Sequence, residues 1–161
     1  MKKALVIAAI AIAAAAAGSV TVSHAASAGL PKCPSHTPKT ISPPSGAKHF
    51  VRQGAAAMRL CRYYGNNWAF PYGLRGQRLI RDGATIDSVI ATFNGLAKPP
   101  KGIFCMRDDD TRMLVVFGYA QASAEHVLVK MTGCPFTTNG RASRWATPHL
   151  QHRLLNLVKG S

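Results

Sequence analysis

Apolar positions recur along this chain with two periods, and each period predicts a different element. From Ala55 to Tyr64, Met58 and Leu60 fall on one parity and Cys61 and Tyr63 on the other, which predicts a strand. Gly76 to Ile80 predicts a short second strand. Between Thr85 and Leu96 the period lengthens: Ile86, Val89, Ile90 and Phe93 stand at i, i+3, i+4 and i+7, the apolar stripe of a helix. Thr85 or Asp82 can cap its start, Gly95 sits near its end, and Pro99-Pro100 prevents continuation. Met113 to Tyr119 is almost continuously apolar, as in a central strand. His126 to Thr132 alternates again, with Val127, Val129 and Met131 on one face. Asn139-Gly140, between Cys134-Pro135-Phe136 and Ala142 to Trp145, predicts a hairpin with a type I′ turn. Thr147 and Pro148 supply the N-cap and first residue of a last helix, striped by Leu150, Leu154, Leu157 and Val158 and stopped by Gly160. The order predicts a single α+β domain over residues 49–161, a small antiparallel sheet with two helices on one face.

Two stretches ahead of that domain follow neither period. Lys2 and Lys3 precede an unbroken apolar run of 14 residues, Ala4 to Ala17, and small residues follow. Positive, apolar, then small is the layout of a secretory signal peptide, here residues 1–28, with cleavage after Ala25 or Ala28. The run falls short of the roughly 20 apolar residues that a membrane span requires. The expectation is a secreted protein, extracellular or associated with the cell envelope, with no transmembrane segment after signal cleavage. Residues 29–48 carry Pro31, Pro34, Pro38, Pro43 and Pro44 among Ser, Thr and Lys. They read as an extended arm with little capacity to form core, pinned to the domain at Cys33.

Export gives meaning to the four cysteines. An even count in an exported chain predicts two disulfides among Cys33, Cys61, Cys105 and Cys134, and their spacing fits no zinc pattern. Of the possible pairings, Cys33–Cys61 with Cys105–Cys134 is preferred because each ties neighbouring segments; a cross-link closing such a loop stabilises by roughly 3.5 kcal/mol. The whole chain has 161 residues, with 20 Lys+Arg against 6 Asp+Glu. Without Lys2 and Lys3, 18 basic side chains face 6 acidic ones, a net charge of +12. Such a surplus attracts macromolecular ligands that are anionic polymers or acidic proteins.

The sequence lacks G-x-S-x-G, H-E-x-x-H, the Walker A loop, G-x-G-x-x-G and C-x-x-C. Glu125 is the only glutamate, and Asp108, Asp109 and Asp110 are adjacent, so no pair of carboxylates is indicated for hydrolysis across a bond. These absences favour a protein that binds rather than catalyses, without cofactor or metal. The aspartate triplet reads as a charged turn, and His149 and His152 as solvated residues of the last helix. A small basic secreted nuclease is a third possibility, using Glu125 and His126 with Arg107, Arg112 or His149. Neighbours on a strand point to opposite faces, which weighs against that pairing.

The richest segment for recognition is Tyr63 to Tyr72, which holds five of the twelve aromatic residues: Tyr63, Tyr64, Trp68, Phe70 and Tyr72. Arg59, Arg62, Arg75 and Arg78 flank it. Tyr, Trp and Arg dominate binding hot spots, and aromatic rings beside arginines also stack bases or sugars. The same aromatics would equally serve to close one end of the core. Arg62, Tyr63, Tyr64, Trp68, Phe70, Tyr72 and Arg75 are therefore the candidate binding residues.

Several of these motifs together resemble a known group. Leu60-Cys61-Arg62-Tyr63-Tyr64-Gly65, a helix ending in Asn94-Gly95-Leu96, a cysteine before a strand, and Thr132-Gly133-Cys134 leading into Thr138-Asn139-Gly140 resemble uncharacterised small exported actinobacterial proteins, over roughly Ala55 to Leu155. That resemblance implies export and carries no activity. The order helix, Cys105, strand, hairpin, strand, Cys134 is also similar to the second half of subtilisin-inhibitor-like proteins, which are secreted α+β domains with two disulfides. This implies a serine-protease inhibitor with a reactive loop at Met106, Arg107 and Asp108, in which Arg107 enters the S1 pocket of a trypsin-like extracellular protease. Pro99, Pro100 and a disulfide at Cys105 would stiffen that loop and lower the entropy lost on binding. The sequence departs from that family at Met106, where the family has proline, at the acidic Asp108, in the wide spacing of its first two cysteines, and in its extra C-terminal helix.

Overall fold

The computed structural model describes residues 30–44, 46, 48–65, 73–105 and 108–160. Among them, β1 (Ala57–Tyr64), β2 (Gly73–Ile80), β3 (Arg112–Tyr119), β4 (Ala122–Lys130), β5 (Phe136–Thr138) and β6 (Ser143–Trp145) form one antiparallel sheet in the order β2-β1-β3-β4-β5-β6. Helix α1 (Gly83–Asn94) follows β2, and α2 (Pro148–Lys159) follows β6. The α+β class expected from the periodicity is the class observed. The segment read as a signal peptide lies outside the described residues, among which no helix is long and apolar enough to cross a membrane.

Both faces of the sheet are buried. Met58 and Leu60 of β1, Met113, Val115 and Phe117 of β3, and Val127 and Val129 of β4 meet the predicted stripes of the two helices: Ile86, Val89, Ile90 and Phe93, and Leu150 and Leu154. Cys61, Tyr63, Leu114, Val116 and Leu128 have the opposite parity and form a second buried cluster. A strand needs apolar residues at every position only where both its faces are covered. That explains the continuous run in β3. The cover on the second face is the arm, whose Leu30, Cys33 and Ile41 pack on this cluster. The arm thus contributes to the core more than its composition suggests.

Contacts along its length hold the arm. Leu30 lies against Gly118, where an added Cβ would come within 2.6 Å of the leucine side chain. Cys33 is joined to Cys61, with Cα atoms 5.7 Å apart. The Tyr63 hydroxyl donates to the Pro34 carbonyl at 3.0 Å, and the Leu74 N–H to the Ser35 carbonyl at 2.9 Å. The arm then turns back until Ile41 and Ser42 meet Gly140, whose φ is +82° and whose added Cβ would sit 2.5 Å from the Ile41 oxygen. The β5–β6 loop therefore needs glycine both for its backbone and for the close approach of the arm. The second disulfide, Cys105–Cys134, spans a Cα–Cα distance of 5.1 Å.

Helix caps follow their sequence signals. The Asp82 carboxylate accepts the Thr85 N–H at 2.8 Å, so Asp82, and not Thr85, is the N-cap of α1. These hydrogen bonds from Thr85 hold the Asp82 carboxyl below the usual carboxylate range. Thr147 caps α2, Pro148 occupies its first turn, and Gly160 ends it in the left-handed region at φ 87°.

Three expectations differ in detail. β2 begins at Gly73, not Gly76, because a bulge opposite Arg62 and Tyr63 accommodates an extra residue that breaks the alternation. β4 begins at Ala122, four residues early, where small and polar side chains carry no apolar signal. The Asn139-Gly140 hairpin is present, but its turn is not type I′. Among the described non-glycine residues only Asp110 has a positive φ, so Asn139 lacks the left-handed backbone that I′ demands. Its side chain shapes the loop instead: Asn139 is 1% exposed, its Oδ1 accepts the N–H groups of Arg141 and Ala142, and its Nδ2 donates to the Phe50 carbonyl at 2.8 Å.

That last bond belongs to a segment whose backbone is satisfied by side chains. Residues 49–52 join no strand, yet Val51 is fully buried. Asn94 pairs with Val51 like a strand neighbour, accepting its N–H at 2.8 Å and donating to its carbonyl at 2.9 Å. The Arg52 N–H donates to Glu125 and its carbonyl accepts the Tyr119 hydroxyl at 2.7 Å. Buried backbone groups left without partners are costly, so these side chains substitute for a strand. Asn139→Ala, which strands two N–H groups and the Phe50 carbonyl, is expected to cost about 2 kcal/mol. Urea denaturation at unchanged m-value checks this; a loss under about 0.5 kcal/mol would mean that water satisfies the loop.

Candidate functional site

Antiparallel pairing gathers four chain segments at one end of the sheet. β1 finishes there at Tyr64, opposite Gly73 at the start of β2; β3 starts there at Arg112, opposite Tyr63 on one side and Lys130 at the end of β4 on the other. The loop joining Tyr64 to Gly73 and the loop leading from Cys105 into β3 are therefore anchored side by side. Gly65 lies against the backbone of Asp109 and Asp110 so closely that any side chain would run into the Asp109 carbonyl. Gly65 and the aspartate triplet, distant in the sequence, thus meet at this end of the sheet.

At its centre is Tyr64. The Arg62 guanidinium stands 5.2 Å from the centre of its ring and that of Arg75 4.9 Å. Each such contact stabilises by roughly 0.5–1 kcal/mol at an exposed site. Arg62 reaches the ring from two residues away on the same strand face, and Arg75 is the exposed residue at the β2 bulge, which brings it over Tyr64. Both cations thus converge on one ring.

Tyr63 does not belong to this surface. It is fully buried beneath the arm, its hydroxyl bonded to Pro34, and burial pushes its pKa up to about 12. Adjacent strand residues face opposite ways, so only one of the two tyrosines could reach a partner. Trp68, Phe70 and Tyr72 lie outside the described residues, as do Met106 and Arg107 of the inhibitory loop.

Asp108 is described, and it turns toward β4. It forms an ion pair with Lys130, and its Oδ1 accepts the Asp110 N–H at 2.9 Å. Asp109 accepts the Thr111 N–H at 2.9 Å and the Thr132 hydroxyl, and Asp110 pairs with Arg112. Burial alone would raise the Asp108 carboxyl, but the Lys130 and Asp110 hydrogen bonds and the charges of Lys130 and Arg112 outweigh it and hold it below its ordinary value. The triplet is a charged turn that fixes the loop to β4.

Sequence reasoning missed Phe104. It is 84% exposed, the exposed large apolar side chain among the described residues, and it immediately precedes the cross-linked Cys105. The available signal was its place between Pro99-Pro100 and that cysteine, in a segment with no apolar period to bury it.

The nuclease residues are divided. Glu125 lies on the helix side of the sheet, bound to Arg52 and Tyr119, while His126 faces the arm. His149 and His152 are exposed on α2 beside Arg153, Asn156 and Leu157.

Compared with known proteins, the chain matches no family model, no curated sequence and no solved structure.

Proposed function

We propose that this is a secreted protein that works by binding rather than catalysis, and that its contact surface is the end of the sheet around Tyr64. The observation that carries the reading is the Tyr64 ring with the Arg62 and Arg75 guanidinium groups both against it. A ring with two guanidinium groups already held against it offers an aromatic edge and positive charge without the entropy of ordering long side chains at the moment of binding. Its natural partner is an anionic macromolecule, drawn in by the basic surplus and gripped at this ring. Fluorescence titration with labelled oligothymidylate and with poly-glutamate tests this. Tyr64→Ala keeps the net charge, so it should weaken capture by roughly tenfold while the salt dependence stays the same. Equal affinity in the variant and the parent would exclude the ring as the site. Trp68→Ala should act in the same direction.

A second reading is a serine-protease inhibitor working through Met106, Arg107 and Asp108. Phe104 favours it: a projecting apolar side chain beside a disulfide-braced cysteine suits an extended loop offered to a protease cleft. Stoichiometric inhibition of a trypsin-like protease, lost in Arg107→Ala, is the expected result; flat titration curves with oxidised protein would remove this reading.

A further inference from the structure

A different site lies on the opposite face, where the arm and the sheet do not close on each other. Between them remains a half-open cleft of about 390 Å³, within the size range of small-ligand sites. The five prolines of the arm wall it, and Leu114 and Val116 form its floor. These walls are rigid. Proline fixes its own φ, and the arm is held at Cys61, Tyr63, Leu74 and Gly140. A ligand entering would pay little to order them.

One residue of the floor is out of character. His126 lies across from Val116, at a position where an aliphatic side chain would seal the second cluster. It is half-buried, and among the described residues nothing hydrogen-bonds its ring. Burial lowers its pKa and so favours the neutral imidazole. Lys32 is the other titratable group lining the cleft; the residues contributed by β3 and β4 besides His126 carry no charge, and the remaining polar lining consists of hydroxyl groups. The cleft therefore offers donors and a cation, no carboxylate, and flat proline faces.

We infer that this cleft binds a small carboxylic acid with a flat apolar body, the ring against the prolines and the carboxylate toward His126 and Lys32. A carboxylate brought to His126 favours the charged imidazole, so binding takes up a proton. Affinity should then rise as the pH falls from 8 to 6, where the ligand itself stays ionised.

Calorimetry with 2-naphthoate and its neutral counterpart 2-naphthylmethanol, on oxidised full-length protein, tests the inference. The acid should bind at pH 6 at least roughly tenfold more tightly than the alcohol, and several-fold more tightly than it does itself at pH 8. His126→Leu should remove the preference for the acid and the pH dependence, leaving the alcohol's affinity in place; an apolar side chain on this strand face is compatible with the fold. Ala124→Phe, which fills the cleft, should abolish binding of both, with circular dichroism confirming the sheet. Equal affinity for acid and alcohol, absence of binding by either, or naphthoate binding that survives His126→Leu unchanged would each overturn the proposal.

Discussion

Glu125→Ala is expected to lower stability by about 3 kcal/mol, among the largest losses that a single side chain of this protein can cause. Glu125 is 4% exposed and saturated: Oε1 accepts from Nε and Nη2 of Arg52 at 3.0 and 2.9 Å, and Oε2 accepts from the Arg52 N–H at 2.9 Å and the Tyr119 hydroxyl at 3.2 Å. Removing it strands the part-buried Arg52 N–H and releases the segment that covers Val51. The loss falls at the lower end for a broken buried pair, because the Arg52 side chain is 36% exposed and already stacks 4.8 Å from the Tyr119 ring centre, so it can turn to water. Glu125→Gln, which keeps the shape and part of the bonding, should lose about half as much. Urea unfolding at constant m-value measures both; a loss under about 1 kcal/mol for the alanine variant would show that the network does not hold the segment. Tyr119 gives a second readout. Burial first, and the Glu125 charge with it, raise its pKa, as burial raises that of Tyr63. For both groups the folded pKa exceeds the unfolded value, so the stabilisation is complete below about pH 10 and is lost as the pH rises beyond it. Glu125→Gln removes that charge and lessens the Tyr119 shift, so stability should fall less steeply with pH above about 10 in the variant than in the parent.

Removing the arm's cross-link, in Cys33→Ala with Cys61→Ala, is expected to cost roughly 3.5 kcal/mol. The Cys105–Cys134 link closes a loop of nearly the same length, with sequence separations of 28 and 29. Chain entropy alone would make the two losses equal. They should differ in kind. Without Cys33–Cys61 the arm loses its central attachment over Cys61, Leu114, Val116 and Leu128, so the protein should bind a hydrophobic dye and be cleaved within residues 30–44 before it unfolds. Without Cys105–Cys134 the sheet keeps both covers and only the loop beyond Phe104 loosens. Identical proteolysis of the two variants would mean that the arm's other contacts hold it unaided.

The elements were legible in the sequence wherever a period met a buried face. The α1 stripe of Ile86, Val89, Ile90 and Phe93 is buried as read, and so is the parity of Val127 and Val129. The arm's role was hidden, because proline-rich composition reports stiffness and not what the chain lies against. Its signature was indirect: β3 is apolar on both parities, which demands a second cover that two helices cannot supply. The candidate surface was legible by type and not by partner. Tyr63 and Tyr64 are indistinguishable in composition, and parity alone separates a buried pillar from a stacked ring. Phe104 escaped notice since its exposure is a property of the loop's path. The closeness of the two loops follows from strand order, which connects residues distant in the chain.

The Ser35–Leu74 bond acquires a further meaning from the sheet's ends. An open antiparallel sheet has two border strands whose unpaired amides invite a strand from another molecule. In β2 the arm occupies the Leu74 amide, and Arg75 and Arg78 charge the rest; β6 is three residues long, and its Trp145 N–H is already bonded to the Ala97 carbonyl. Neither border offers a long, neutral template. The arm thus guards against self-association as well as covering the core, and a chain shorn of it would face its neighbours with an oily face and an open seam together.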